Sequence, residues 1–310
     1  MNLYEQKNIK PMLIGMEAEP FDDPNYLYEL KIDGERCMAY LGPDGTDLRS
    51  KRNMCILPQF PELNEIHKQI NKRCILDGEL AVIENGKPSF ETVQRRSLMT
   101  NNLKIQIASQ RHVACFTAFD IIYIDRKPIT DLPLVERKEL LQSVFLEESS
   151  LLAISRYIEE KGIALYELTE QYGLEGIVAK KKDSKYYFDK RTKDWIKIKN
   201  MKDSDYVICG YIRKSNHMVS IVIGQYDGDQ LMYKGHVTLG VNGAGFRMIQ
   251  KLPEIPVPEF VPPPGNERTV WVAPVMVCSV KYMEKMRGGG LRQPVFKGIR
   301  QDKDPKDCKI

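Results

Sequence analysis

The chain contains 310 residues, 42% of them hydrophobic, and carries a formal net charge of +4 at pH 7. This size can bury a core and fits two modest domains better than one, whereas the mildly basic balance does not by itself indicate nucleic-acid binding. No run approaches the roughly 18 to 20 apolar residues of a membrane span, the N-terminus lacks a signal-peptide core, and the seven scattered cysteines indicate neither a disulfide framework nor a zinc site. We therefore expect a cytoplasmic protein without a membrane anchor.

The first two thirds of the chain combine strand and helix patterns. Short apolar runs predict strands at 27–32, 75–83 and 113–124. Residues 131–145 predict a helix with Pro133 near its start. Together these patterns indicate a mixed α+β domain.

The pattern changes after Lys199. Alternating apolar residues predict short strands at 206–211, 219–225, 231–237, 269–272 and 275–282, and several strands of this kind favour a small β-barrel. The polar segment 200–204 is the best hinge candidate, so we expect one domain at 1–203 and a second at 204–310. The proline-rich stretch 252–264 reads as a stiff connection inside the second domain.

The strongest local signal is the sequence from Glu29 to Arg36, which contains Lys31-x-Asp33-Gly34-x-Arg36. A predicted strand here enters a turn, so the lysine, aspartate and arginine are brought together at a strand end. The alternative interpretation is an ordinary charged hairpin. Lysine is a poor nucleophile at its usual pKa of about 10.4, so a reactive Lys31 needs cationic neighbours or a metal near its amine.

Further motifs follow in a fixed order along the chain: Leu76-Asp77-Gly78-Glu79, Phe119-Asp120, the segment 175–180, the segment 195–199, and the segment 291–303 near the C-terminus. As an ordered set, these motifs resemble the nucleotidyltransferase superfamily of DNA ligases, RNA ligases and mRNA capping enzymes. The resemblance is closest to ATP-dependent DNA ligases, in particular the ligase module of bacterial non-homologous end-joining enzymes. It implies an α+β fold, an ATP-grasp-like nucleotidyltransferase (adenylation) domain followed by a C-terminal OB-fold β-barrel.

The resemblance also implies a covalent lysyl-AMP on Lys31, with ATP as the cofactor and Mg²⁺ or Mn²⁺ as the metal, held by Glu79 and Glu175. The residues expected to contact ATP or AMP are Glu29, Lys31, Ile32, Arg36, Arg52, Glu79, Phe119, Arg191, Lys197, Lys199, Arg300 and Lys303.

Several of these residues receive specific roles. Phe119 should stack on the purine, and Glu29 should accept from the exocyclic amine that adenine carries and guanine lacks, which favours ATP over GTP. Lys197 and Lys199 alternate onto one strand face, where they can supply positive charge to Lys31 and to the α-phosphate.

The remaining arginines and lysines are placed by the resemblance on phosphates. Arg36 and Arg191 are assigned to the nucleotide, and Arg52 to the ribose or a DNA 5′-phosphate. Near the C-terminus, the resemblance places Arg300, Asp302 and Lys303 on the β and γ phosphates of ATP.

The expected substrate is nicked double-stranded DNA with a 5′-phosphate and a 3′-hydroxyl. Candidate backbone contacts are Lys51, Lys182, Lys193 and Arg213, although each also suits plain surface. We expect a monomer associated with the nucleoid, and the end-joining resemblance implies a Ku-like partner with separate polymerase or nuclease activities. Repair, recombination and replication all stay open as pathways.

Other functions of the same superfamily remain as alternatives. An RNA ligase usually lacks such a C-terminal barrel, a capping enzyme should prefer GTP, and an NAD-dependent ligase should be longer and carry a zinc-binding cysteine quartet. A non-enzymatic alternative is a degenerate ligase fold that serves as a DNA-binding scaffold, but Lys31, Glu175 and Lys197 are all present.

Overall fold

The computed structural model describes residues 2–214, 218–286 and 289–310. The chain divides into two compact units, Met1–Asn200 and Met201–Ile310. The elements of the first unit are α1 (Leu3–Gln6), β1 (Leu13–Glu17), β2 (Tyr26–Leu30), β3 (Glu35–Gly42), β4 (Gly45–Ser50), β5 (Cys74–Glu84), β6 (Lys87–Pro88), α2 (Phe90–Ser97), α3 (Asn102–Arg111), β7 (Ala114–Ile124), β8 (Lys127–Pro128), α4 (Leu134–Val144), β9 (Leu152–Ile154), β10 (Tyr157–Glu159), α5 (Gly162–Tyr172), β11 (Gly176–Lys181) and β12 (Arg191–Lys199).

The strands of the first unit form two sheets. The first sheet has the order β1-β12-β11-β2-β10, in which β1 runs parallel to β12 and the other pairs are antiparallel. The second sheet has the order β4-β3-β5-β7-β8, with β6 beside β5 and β9 beside β7. Three 3₁₀ turns lie between β4 and β5, at Leu57–Gln59, Pro61–Leu63 and Ile66–Gln69.

The second sheet is buried on both faces, because alternate residues of a strand point to opposite sides. On one face, residues such as Leu76 and Leu80 join a large apolar core that includes Leu141 and Val144 of α4. On the other face, Ile75 packs into a cluster that also holds Trp195 of the first sheet. The two sheets are therefore layers that share an apolar interface.

The outer face of the first sheet is covered by α5. Tyr28, Ile177 and Ile198 form a cluster against which Leu165 and Tyr166 of α5 pack. The helix ends at Gly173, which adopts the left-handed conformation (φ 60°) that favours glycine at a helix C-terminus. The first unit is thus built in layers: α5, the first sheet, the second sheet, and a last layer that contains α4.

The second unit contains β13 (Lys202–Arg213), β14 (Val219–Asp227), β15 (Gln230–Val237), α6 (Gly243–Ile249), β16 (Val270–Trp271), β17 (Val277–Tyr282), β18 (Val295–Arg300) and a 3₁₀ turn at Pro305–Asp307. The antiparallel order is β15-β14-β13-β17-β18, with β16 on β13. A parallel bridge between Leu239 and Val295 joins the two ends of the sheet, where Phe296 N–H donates to Leu239 O at 2.8 Å. The sheet therefore curls into a small barrel, as the short alternating runs predict.

The predicted elements agree with the structure in kind and differ at their ends. The run 27–32 forms β2, but the strand stops at Leu30, and Lys31 and Ile32 enter the link to β3. The predicted helix 131–145 becomes α4, which begins one residue after Pro133 because proline occupies the N-cap position. Among the described residues, no helix is long and apolar enough to span a membrane.

Candidate active site between the two sheets

The link between β2 and β3 carries the chain from the first sheet to the second. Lys31 N–H donates to Gly176 O at 2.9 Å, which fixes the start of the link to β11. A Cβ atom on Gly34 would lie 2.3 Å from Leu80 O, so only glycine fits at the end of the link. Lys31 therefore stands at the junction of the two sheets.

A pocket opens at this junction. Its walls come from both sheets and from the link, and its lining residues are Ile14, Glu29, Leu30, Lys31, Ile32, Arg36, Glu79, Phe119, Val178, Lys180 and Trp195. Seven of the residues predicted from sequence meet around it: Glu29, Lys31, Ile32, Arg36, Glu79 and Phe119 line the pocket, and Glu175 contacts Lys31.

Lys31 forms an ion pair with Glu175, with 2.8 Å between Nζ and Oε1. The Glu175 side chain is only 4% exposed, and burial raises its pKa even though Lys31 acts in the opposite direction. A carboxylate whose pKa is raised and which touches an amine is well placed to accept that amine's proton.

Lys197 and Lys199 lie on the face of β12 that also presents Trp195. Lys197 Nζ is 3.0 Å from Glu17 Oε2 on the neighbouring strand β1. The pKa of Lys199 is lowered by burial, then by Lys197, and further by Lys31. Lys199 therefore belongs to the charged surroundings of Lys31, with Lys197 beside it, although the ion pair of Lys31 itself is with a carboxylate.

Arg36 is anchored inside the pocket by a buried carboxylate. Its Nε and Nη2 each donate to Asp77 at 2.6 Å, and Nη2 also donates to Met12 O at 3.3 Å. Tyr186 Oη donates to Asp77 at 2.6 Å from the other side. The guanidinium lies 4.4 Å from the Phe119 ring centroid. Contacts within the protein therefore fix the position of Arg36.

Phe119 is surrounded by cations in the structure. Besides Arg36, the ammonium group of Lys180 lies 4.2 Å from the Phe119 centroid and 4.5 Å from the Trp195 ring. Trp195 meets Phe119 edge-on, with 6.1 Å between centroids. Cation–π contacts from Arg36 and Lys180, together with the contact to Trp195, thus hold Phe119, the expected platform for a purine, in place.

Glu29 is buried and already ion-paired. Lys138 Nζ and Lys180 Nζ approach its Oε1 at 2.7 and 2.9 Å. Burial alone would raise the pKa of Glu29, but Lys138 and Lys180 outweigh it, and the pKa is lowered. Glu29 is therefore an ionised carboxylate that can only accept hydrogen bonds.

Glu79 and Glu175 are the predicted metal ligands. Burial raises the pKa of Glu79 to about 8, with Arg36 and Lys31 opposing the rise and Glu175 adding to it. Oε2 of Glu175 is buried and makes no hydrogen bond within the described part of the chain. Hard carboxylate oxygens are what Mg²⁺ prefers, and its sites usually include few protein ligands, so this donor pair fits a divalent cation. In the described residues, no group of three or more His, Cys, Asp or Glu side chains forms a fuller metal site.

Arg191 does not join this group of residues. It stands exposed at the first position of β12 and donates to Ile14 O at 2.8 Å. Arg191 lies opposite Leu13 and Lys197 opposite Glu17 on β1, so four residues of β1, about 13 Å, separate the two positions. The assignment of Arg191 to the nucleotide gains no support from its position.

The residues predicted to contact DNA are spread over the surface. Lys51 and Arg52 are exposed in the turn after β4, where Lys51 N–H donates to Arg36 O at 3.1 Å. Lys182 is ion-paired with Glu159, and the predicted contact Lys193 is exposed on β12. In the second unit, Arg213 is exposed, with its guanidinium 5.5 Å from the Phe246 ring centroid.

Arg300, Asp302 and the half-buried Lys303 form a charge cluster in the second unit. Arg300 makes two hydrogen bonds to Asp302, at 2.8 and 2.7 Å, and approaches Asp205 at 3.5 Å. Lys303 Nζ lies 2.8 Å from the same Asp205 carboxylate. The two cations are thus close together and neutralised by aspartates of their own unit.

Sequence reasoning missed three cations in and behind the pocket. Lys138 and Lys180 were not assigned to the site, although Lys180 ends a motif that the sequence displays. Arg137 is fully buried and forms two hydrogen bonds to Asp120, at 2.8 and 2.9 Å. The adjacent basic pair Arg137-Lys138 inside an otherwise apolar helix face was the available signal, because buried cations require partners.

Two known domain models match the sequence. The ATP dependent DNA ligase domain matches residues 13–199, and the ATP dependent DNA ligase C terminal region matches residues 214–303. The chain belongs to the ATP-dependent DNA ligase family. This confirms the resemblance found in the sequence and identifies the chain as a ligase enzyme of that family.

Individual members of the ligase family match most of the chain. The SPbeta prophage-derived DNA ligase-like protein LigB of Bacillus subtilis (strain 168) is 30% identical over 293 residues, which cover 94% of this chain and 99% of LigB. The multifunctional non-homologous end joining protein LigD of Pseudomonas aeruginosa is 29% identical over 314 residues, 96% of this chain. The chain spans only 36% of that LigD, and 40% of the LigD from Mycobacterium bovis.

The fold of a ligase is confirmed by solved structures. The mycobacterial DNA ligase D complexed with ATP and MES shares 26% identity and a TM-score of 0.57, with 97% of this chain and 98% of that chain covered. The expected fold class therefore holds, a nucleotidyltransferase domain of mixed α+β structure followed by an OB-fold domain.

Proposed function

We propose that this ligase seals nicks in double-stranded DNA between a 5′-phosphate and a 3′-hydroxyl, through a covalent lysyl-AMP on Lys31 and an adenylylated DNA intermediate. The observation that carries the proposal is the position of Lys31 at the pocket between the sheets. There its amine touches Glu175, and the pocket presents Arg36, Glu79 and Phe119. A lone nucleophile surrounded by phosphate-binding and base-binding side chains suits nucleotidyl transfer.

In the first step, the amine of Lys31 attacks the α-phosphorus of ATP. A nitrogen–phosphorus bond forms, the bridging phosphorus–oxygen bond breaks, and pyrophosphate leaves. The proton of Lys31 passes to Glu175, whose carboxylate lies 2.8 Å away. Lys197 and Lys199 stabilise the negative charge that grows on the α-phosphate, because cations aimed at developing charge lower the barrier.

The base and sugar are held by the first unit. Phe119 supports the purine, Glu29 accepts from the exocyclic amine, and the backbone of the link at Ile32 borders the base. Arg36 binds the ribose or phosphates from its fixed position on Asp77. We assign ATP, not GTP, as the nucleotide because an ionised carboxylate facing guanine would oppose a carbonyl oxygen.

Glu79 and Glu175 would hold Mg²⁺ or Mn²⁺, which supplies positive charge to the phosphates when bound. On the second unit, we assign Arg300 and Lys303 to the β and γ phosphates of ATP, with Asp302 orienting Arg300. Arg52 and Arg191 are kept as nucleotide or DNA phosphate contacts. The domain limits that we propose are 1–203 and 204–310.

In the second and third steps, AMP moves from Lys31 to the 5′-phosphate of the nick, and the 3′-hydroxyl then displaces AMP. Candidate DNA backbone contacts are Lys51, Lys182, Lys193 and Arg213, which would make affinity salt-dependent and independent of base sequence. We further propose action as a monomer in repair or end joining, at the nucleoid, because the LigD relatives carry end joining in their names. A Ku-like partner and separate polymerase or nuclease proteins belong to the same proposal.

The test is nucleotide labelling followed by sealing. Purified protein is incubated with Mg²⁺ and α-labelled ATP, GTP or NAD, and then with nicked DNA or nicked RNA duplexes. We expect label from ATP alone and sealing of DNA. Lys31→Ala should abolish both, whereas Lys104→Ala, at an exposed lysine on α3, should retain both.

Each contrary outcome points to a different function. Label from GTP alone would indicate a capping-type guanylyltransferase, and preferred sealing of RNA nicks would indicate an RNA ligase. Nick binding without sealing would favour a scaffold. Equal labelling of wild type and Lys31→Ala would refute Lys31 as the nucleophile.

A further inference from the structure

Glu29, Lys138 and Lys180 form a buried cluster with one carboxylate and two ammonium groups. Their side chains are 2%, 3% and 4% exposed, and the closest approach of each lysine is to the same oxygen of Glu29. The cluster contains one more cation than anion. An excess buried charge is costly for folding, since a single lysine would already pair with the carboxylate.

Neighbouring groups do not account for the second lysine. The nearby Asp120 is fully engaged by Arg137, whose remaining hydrogen bonds go to the Leu132 and Ser184 carbonyl oxygens. That pair is balanced in charge. The extra ammonium of the Glu29 cluster is therefore not required by Asp120.

The two lysines differ in what else they touch. Lys180 lies over the Phe119 and Trp195 rings, and burial lowers its pKa to about 8. It is thus part of the base platform, and with this pKa it loses its charge only above about pH 8. Lys138 comes from α4, behind the pocket, and its ammonium is 5.6 Å from the Tyr157 ring centroid. Lys138 is not among the residues that line the pocket.

We infer that Lys138 is a specificity-determining positioning residue, which holds Glu29 from behind as a fixed, ionised acceptor for the exocyclic amine of adenine and thereby disfavours guanine. The inference rests on the proposed function, because it assumes that Glu29 faces the base. A site built to accept from an amine rejects a ligand that presents a carbonyl there, since two acceptors face each other. That rejection depends on Glu29 staying ionised and in place.

The experiment measures covalent labelling of the full chain by α-labelled ATP and GTP at a series of nucleotide concentrations. Lys138→Met keeps an unbranched side chain that is one atom shorter, and it leaves Glu29 paired with Lys180, so the domain keeps a balanced ion pair. We expect KM for ATP to rise about tenfold, the preference for ATP over GTP to fall about tenfold, and kcat to change little.

Two matched variants separate charge from packing. Lys138→Arg keeps the cation and should retain the preference for ATP. Lys104→Met makes the same substitution at an exposed site on α3 and should behave as wild type. Loss of the preference in a folded Lys138→Arg to the same extent as in Lys138→Met would overturn the inference, as would an unchanged preference in Lys138→Met.

A second variant keeps the test decisive if Lys138→Met fails to fold. Glu29→Gln has nearly the same shape but carries an amide that can donate to guanine, so its preference for ATP should also fall. An unchanged preference there would contradict the inference. The proposed function fails by different outcomes: wild type takes label from neither nucleotide, or Lys31→Ala is labelled as strongly as wild type.

Discussion

Replacing Asp77 by asparagine should remove the anchor that holds Arg36 in the pocket. The Asp77 side chain is fully buried and accepts two hydrogen bonds from Arg36 and one from Tyr186, each at 2.6 Å. Breaking a buried ion pair by neutralising one partner costs about 3–5 kcal/mol. The Arg36 side chain is 17% exposed and can gain water. We therefore expect Asp77→Asn to lower the free energy of unfolding by about 3 kcal/mol, at the lower end of this range.

The comparison variant for this test is Tyr186→Phe, which leaves the Arg36 pair intact. It removes the hydrogen bond to Asp77 and also the one that Tyr186 Oη accepts from Met12 N–H at 3.0 Å. Together these two hydrogen bonds contribute about 2–4 kcal/mol, so the comparison rests on the double variant. The double variant should fall short of the sum of the two losses, because both act through the same carboxylate.

The assay can isolate the first unit. The chain has two tryptophans, Trp195 in the first unit and Trp271 in the second. In a Trp271→Phe background, urea unfolding followed by fluorescence reports the surroundings of Trp195, whose ring lies 6.0 Å from that of Tyr186. A loss below about 1 kcal/mol in Asp77→Asn, or full additivity of the two losses in the double variant, would refute Asp77 as the ionic anchor.

Three further predictions follow from the charged groups. Glu175→Gln should slow labelling by ATP about 100-fold, which is the size of the effect of losing a general base. It should slow sealing of a pre-adenylylated nick less. Equal losses of labelling and of sealing would exclude the proton-acceptor role. Arg300→Ala and Lys303→Ala should raise KM for ATP about tenfold and spare pre-adenylylated nicks, with Lys306→Ala as control. Burial lowers the pKa of Lys180 in the folded protein to about 8, below the unfolded value of about 10.4. Between these two pH values the unfolded chain binds more protons than the folded chain, so the unfolding free energy rises with pH. The unfolding free energy of wild type should therefore rise relative to that of Lys180→Met across this range. If the difference in unfolding free energy between wild type and Lys180→Met, measured by urea unfolding, does not change with pH, the last prediction is contradicted.

Much of the fold could be predicted because local patterns and tertiary packing agree. The β-barrel strands alternate apolar residues in sequence and bury them in one core, as Ile221 and Ile223 of β14 do. The motif residues Lys31, Glu79 and Glu175 lie near one another in the structure, since each lies at or beside a strand that the fold brings to the junction.

What sequence could not supply is the partner of each charge. Glu29 was expected to face the base as an available acceptor, yet its carboxylate is already held by Lys138 from a helix distant in sequence. For Arg191, the six-residue spacing from Lys197 matched the expected motif but did not reveal that its guanidinium donates to the Ile14 carbonyl oxygen. Ion pairs depend on how helices and sheets pack, and motif spacing carries no information about that.

The backbone hydrogen bond from Lys31 N–H to Gly176 O affects how far Lys31 can move during the three steps of the proposed mechanism. A Cβ atom on Gly176 would lie 2.1 Å from Ile198 O, so this neighbour of Lys31 is itself tightly confined. The proposed nucleophile is thus a flexible side chain on a tightly held backbone. In the proposed mechanism, the AMP carried by Lys31 moves from ATP to the DNA end through rotations of the lysine side chain, and the reach of that side chain limits where the nick can be bound.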